Sequence, residues 1–169
     1  MIVIRSETTG DQESVRRVNE LAFGGRNEAD LVDALRTNAR PYVSLVAVID
    51  DTVVGHIFFS PVSVETDAGD FTAMGLAPMS VLPEYQNQGI GSMLVREGLK
   101  DCQHLGQDIV VVLGHPKYYP RFGFIPASRK GLRSEYDVPD DVFQVTELRE
   151  DALGGRRGLV RYHPSFQGV

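Results

Sequence analysis

Residues 79–92 read Met79-Ser80-Val81-Leu82-Pro83-Glu84-Tyr85-Gln86-Asn87-Gln88-Gly89-Ile90-Gly91-Ser92. A run of strand-forming residues stops at Pro83, a tight turn follows, and helical spacing begins near Gly89. A helix that opens on glycines exposes backbone N–H groups, carries partial positive charge at that end and lets a ligand approach its main chain. Such a turn suits a phosphate or pyrophosphate. Two nucleotide-binding patterns do not fit it. A P-loop needs Gly-Lys before Ser or Thr, and this stretch has no lysine. A dinucleotide fingerprint needs a third glycine where Leu94 stands, and it follows the first strand of a βαβ unit.

Outward from this turn, the hydrophobic period changes twice. Upstream, Ile2–Arg5 reads as an opening strand. Val15, Val18, Leu21 and Ala22 then share one helical face, stopped by Phe23-Gly24-Gly25. Asn27 is placed to cap a second helix carrying Ala29, Leu31, Val32 and Leu35, which ends before Pro41. Val43–Ile49, Thr52–Phe59, Val62–Thr66 and Phe71–Leu82 form an antiparallel meander, with Pro61 marking a bulge or kink. Downstream, a helix over 89–103 leads to the apolar strand Asp108–Leu113. This pattern predicts a right-handed crossover to a parallel neighbour. Beyond Phe124 the chain reads as irregular to about Asp141. Val142–Leu148 and Gly158–Tyr162 are two further strands, joined across Gly154-Gly155. The expected class is α/β (α+β), one domain over residues 1–169 with a mixed sheet.

Composition narrows the function classes. The chain has 169 residues, about one domain, with 42% hydrophobic and 24% charged residues, so it is globular rather than disordered. A net charge of −6 argues against general binding to nucleic acid. The lone cysteine, Cys102, excludes an internal disulfide and a cysteine-built metal centre, and no metal is expected. No apolar run reaches the ~20 residues of a membrane span. The start Met1–Glu7 turns charged too soon for a signal peptide. A soluble, cytoplasmic protein is the expectation.

The spacing Gln86-x-x-Gly89-x-Gly91 resembles the acyl-CoA-binding motif Arg/Gln-x-x-Gly-x-Gly/Ala of the GCN5-related N-acetyltransferase (GNAT) family. Tyr118-Tyr119-Pro120-Arg121-Phe122-Gly123-Phe124 resembles that family's Tyr-x-x-x-Gly-Phe segment. With the ending Tyr162-His163-Pro164-Ser165-Phe166, the chain looks most like a bacterial branch of predicted acetyltransferases. The resemblance implies a mixed, mostly antiparallel sheet whose central strands splay, flanked by helices. The pantetheine arm of CoA would lie in the splay and pair with backbone groups of Met79 and Val81; Pro78 suits such a splay. The pyrophosphate would rest on amides from Asn87 or Gln88 through Gly89, Ile90, Gly91 and Ser92. Gln86 stands where many members carry Arg.

The same resemblance makes Tyr119 the acid that protonates the departing thiolate, with Tyr118 packing beside it. It makes the Ser80 amide an oxyanion donor. The general base stays open: His115, at the end of the fifth strand, is one candidate, Glu28 and Asp30 fall near the second helix where the family often builds its acceptor pocket, and a water chain is the alternative. His56 and Cys102 read as core. The basic run Ser128–Arg133 reads as solvated surface, with the 3'-phosphate of CoA or an acidic acceptor as its other roles. The implied reaction is direct acetyl transfer from acetyl-CoA to an amine, without a covalent enzyme intermediate. The acceptor partner is an amine-bearing small molecule or protein, and a homodimer stays open. The competing reading is a non-catalytic acyl-CoA-binding regulatory or sensor module.

Overall fold

The computed structural model describes all residues, Met1–Val169. Nine strands and three helices follow in the order β1 (Ile2–Ser6), α1 (Gln12–Phe23), α2 (Asn27–Asn38), β2 (Val43–Ile49), β3 (Thr52–Glu65), β4 (Phe71–Val81), α3 (Ile90–His104) and β5 (Ile109–Leu113). Then come β6 (Ile125–Pro126), β7 (Leu132–Ser134), β8 (Phe143–Glu147) and β9 (Gly158–Arg161). They make one sheet in the order β1-β2-β3-β4-β5-β8-β6, with β9 on β3 and β7 on β9. The pairings β1–β2–β3–β4 are antiparallel, and α3 carries the chain across to β5, which is parallel to β4.

β3 is the spine of the sheet, and its alternation separates the helices. Its odd residues face α3: a methyl on Gly98 of α3 would overlap the Phe59 ring, and one on Gly55 would meet Leu94 at 3.2 Å. Its even residues face α1: buried His56 lies 3.2 Å from Asn19. Therefore α1 and α3 cover opposite faces. α1 stops at Gly24, whose φ of 74° is the left-handed cap that glycine adopts without strain.

Three expectations need correction. Pro61 neither bulges nor ends a strand: β3 runs unbroken and pairs Pro61 with Met74. The Leu82 amide donates to Val54 O at 2.8 Å, so even residues of β3 bond to β4 and odd ones face the other edge. On that edge β2 pairing ends at Phe59 and β9 pairing starts at Ser63, so the missing Pro61 N–H falls where no acceptor waits. The bulge lies in β4 instead, where Ala77 and Pro78 stand opposite Phe58 alone. The final two strands are not partners: β8 joins β5 and β6, whereas β9 joins β3 and β7. Part of the segment read as irregular forms β6 and β7.

The bulge creates the splay. β4 and β5 pair only at Met74–Val110, Gly75–Val111 and Leu76–Val112. Past Ala77-Pro78, β4 continues to Val81 with β5 no longer beside it. Alternation turns Ser80 and Leu82 toward β3, and therefore turns the backbone groups of Met79 and Val81 into the opening.

Candidate active site

Two cavities meet at the splay. The first, about 670 Å³, lies between the ends of β4 and β5 and the start of α3, with Met79, Val81, Gln86, Gly91, Tyr118 and Tyr119 in its wall. The second, about 460 Å³, lies on the α1–α2 side, between Leu31, Pro78, Leu113, Tyr136 and Phe166. Met79 and Tyr119 line both.

The floor of the first cavity is a turn shaped by two left-handed residues, Asn87 (φ 63°) and Gly89 (φ 83°). Asparagine and glycine are the types that take this conformation readily. The first intrahelical bond of α3 runs from Met93 N to Gly89 O, leaving the Ile90, Gly91 and Ser92 amides without helical acceptors. Those amides and the dipole of a 15-residue helix face the cavity. A methyl on Gly91 would stand 3.1 Å from Tyr118 Oη and 3.5 Å from Met79 Cε, so a longer side chain would fill the cleft. The Gln86 side chain donates to Val81 O at 3.0 Å and ties the turn back to β4. Of the cofactor-binding residues expected from sequence, all but Gln88 line this cavity; Gln88 reaches back to Glu84 O at 3.4 Å.

The adjacent tyrosines have different surroundings. Tyr118 Oη hydrogen-bonds Ser92 Oγ at 3.1 Å and touches only the α3 side. Tyr119 is 8% exposed, and its ring lies edge-on to Tyr118 (5.1 Å) and Phe124 (5.6 Å). It sits over Gly114, where a methyl would collide with the ring. Its hydroxyl has no hydrogen-bond partner within the protein, and the residue lines both cavities. Burial, and secondarily Tyr118, pushes the Tyr119 phenol well above the ordinary tyrosine value, so it stays protonated.

Two expected roles do not fit the geometry. The Ser80 amide points to β3, and its buried Oγ has no partner; the amide presented to the opening is that of Met79. His115 is exposed, accepts from the Lys117 amide at 3.1 Å, and lines the α3-side cavity alone. It is thus separated from the α1–α2 side. Glu28 does line the α1–α2 cavity, while Asp30 is held by Arg16 at 2.6 Å.

Buried Cys102 has its thiol pushed up to about 12 by burial, and then by Asp101, which makes it a poor nucleophile. Lys130 pairs with Glu147 at 2.9 Å, and neither it nor Arg129 nor Arg133 lines either cavity. Arg121 was missed in the sequence. It stacks on Tyr118 (4.6 Å to the ring centre), donates Nε to Tyr118 O at 2.9 Å, and brings a cation to the cleft that Gln86 does not supply. Its position inside the Tyr118–Phe124 segment was the available signal. His56 is structural: its pKa falls to about 3 through burial and then Arg36, and it bonds Ser44 (2.9 Å), which donates to Glu7. No three His, Cys, Asp or Glu side chains are grouped to hold a metal ion. No helix is long and apolar enough to cross a membrane.

An anion-suited helix start, a strand pair parted above a bulge and a tyrosine lining two cavities define the class: residues 3–127 match the acetyltransferase (GNAT) domain, and the chain belongs to this family of acyltransferases. It is similar to the uncharacterised N-acetyltransferase YhbS of Escherichia coli K12, 38% identical over 166 residues and 98% of both chains. It is 40% identical over 134 residues to YjhQ of the same organism, covering 78% of this chain and 74% of that one. The crystal structure of E. coli YhbS with CoA superimposes with a TM-score of 0.89, at 38% identity over 98% of this chain and 91% of that one. A GNAT acetyltransferase from Brucella melitensis with acetyl-CoA gives 0.79, at 37% identity over 98% of each chain.

Proposed function

We propose that the chain, as a single domain over 1–169, transfers the acetyl group of acetyl-CoA to an amine by direct attack. The observation that carries this reading is the junction of the two cavities at Met79 and Tyr119. A sensor would need the α3-side cavity only; the second cavity gives an acceptor a place beside the same hydroxyl.

The residues present suit coenzyme A. The backbone of Met79 and Val81 faces the splay as a strand edge would, ready for the amides of an extended arm. The helix start from Asn87 to Ser92 offers amides to a diphosphate, and Arg121 adds charge-assisted bonds. The thioester supplies an acyl carbon activated toward amines. The Met79 N–H then steadies the negative charge developing on the carbonyl oxygen, a term of about 3 kcal/mol in comparable sites. Tyr119 gives its proton to the departing sulfur. The same dry surroundings that raise the Tyr119 phenol also destabilise a bare thiolate, so the sulfur is a willing base there. One carbon–nitrogen bond forms and one carbon–sulfur bond breaks. The proton lost by the amine goes to solvent, and solvent reprotonates Tyr119.

Calorimetric titration with CoA, joined to thiol release from acetyl-CoA in the presence of amines, tests the reading. Gly91→Glu is expected to weaken CoA binding more than tenfold by filling the cleft. Tyr119→Phe is expected to lower kcat about 100-fold, the usual size of a general-acid effect, while CoA affinity stays within about threefold. Absence of any CoA heat would sink the proposal, and a Tyr119→Phe enzyme of full activity would remove the acid role.

A further inference from the structure

We infer that the acceptor is a small monoamine with an apolar body, and that Glu28 receives its ammonium group. This rests on the acetyltransferase reading of the cleft and goes beyond it to the substrate class. Of the 14 residues around the α1–α2 cavity, 12 carry apolar or aromatic side chains; the others are Pro78 and Glu28. Glu28 is the one acidic side chain in that wall, which matches one cation. Glu28 is also the acid of α2 left unclaimed. Asp30 and Asp33 are bound by Arg16 at 2.6 and 2.8 Å, and Arg36 also holds Asp33, whereas Glu28 has no ion pair or hydrogen bond within the protein. It is half-buried in the first turn of its helix.

The same wall excludes other amines. A polyamine or an aminoglycoside would press further ammonium groups against Leu31, Val138 and Phe166, with no second acidic side chain in the wall to meet them. The peptide groups flanking a lysine or an N-terminus meet the same apolar surface. A volume of about 460 Å³ sits in the lower part of the range for small-ligand sites, which suits an arylalkylamine or a medium-chain alkylamine. Continuity with Met79 and Tyr119 lets the same nitrogen, once it has given its extra proton to solvent and left Glu28 as the free amine, reach the thioester.

The experiment is thiol release with 2-phenylethylamine, hexylamine, spermidine, kanamycin, a lysine peptide and a peptide with N-terminal phenylalanine. The heat of binding of each amine to the CoA-loaded protein is measured alongside. The two monoamines are expected to exceed every other acceptor at least tenfold in kcat/KM. Glu28→Gln is expected to weaken 2-phenylethylamine binding about tenfold in calorimetry, with CoA affinity unchanged. Val138→Asp, which adds a second carboxylate at the wall, should raise kcat/KM for spermidine at least threefold. If CoA binds and spermidine, kanamycin or either peptide is preferred, or no monoamine gives heat or turnover, the inference is overturned and the cofactor reading survives. Unchanged amine binding in Glu28→Gln overturns the role of that residue. Failure of CoA itself to bind overturns both.

Discussion

Tyr118 and Tyr119 are adjacent in sequence, yet one hydroxyl is held by Ser92 and the other has no hydrogen-bond partner within the protein. The motif already pointed to Tyr119, because the family pattern fixes the tyrosine by its distance from Gly123. Ser80 and His115 were not legible in the same way. Whether an amide enters the splay depends on register, and a shift of one residue reverses it. Whether a histidine faces donor or acceptor depends on how the chain leaves β5. His56 gives a residue-level prediction. It is fully buried and neutral, with its pKa lowered from the ordinary 6.5 to about 3. Between those values the unfolded chain binds a proton that the native one refuses, so stability is complete above pH 6.5 and falls as acidity rises toward pH 3. The loss from this group is about 2 kcal/mol between pH 7 and pH 5. Urea unfolding across that range should show the slope, and His56→Gln should flatten it even though the variant starts less stable.

Among the elements, α3 contributes both a face of the core and the floor of the cleft. Its helical spacing was plain in the sequence, and so was its crossover to β5. Its closeness to the sheet was not, because that depends on Gly98 meeting Phe59 across two elements. Phe59 is fully buried and has nowhere to retreat. Alanine at position 98 would gain about 0.5–1 kcal/mol of helix preference. Overpacking against a fixed ring costs about 1–3 kcal/mol and outweighs it. Gly98→Ala is therefore expected to lower stability by about 1–2 kcal/mol in chemical unfolding. It should also weaken CoA binding, since the helix start moves with the helix. A more stable Gly98→Ala protein would contradict the close docking. The bulge in β4 escaped the sequence for a related reason: Pro78 signalled an irregularity, but only the pairing with Phe58 shows which strand carries the additional residue.

For the molecule as a whole, β4 and β5 are paired only as far as Leu76 and Val112, and a ligand in the splay would bridge the remainder. CoA at a hundredfold excess over its Kd is expected to add about 2.7 kcal/mol to unfolding, a rise in Tm of about 5–10 °C. Amide exchange at Met79 and Val81 should slow with it; a flat melting curve series would count against a ligand in that position. The class of fold and the residues that line the α3-side cavity could be read from local patterns, since residues 79–92 and 118–124 are continuous. The α1–α2 cavity could not. Leu31, Pro78, Leu113, Tyr136 and Phe166 come from five distant stretches, and nothing in their local sequence shows that they converge.

Because α1–α2 and α3 stand on opposite faces of the sheet, the proposed reaction would give each reactant a doorway of its own. Neither would have to leave before the other arrived, and the two would be handed over through a shared threshold. Double-reciprocal rate plots drawn at several donor concentrations should therefore cross rather than run parallel.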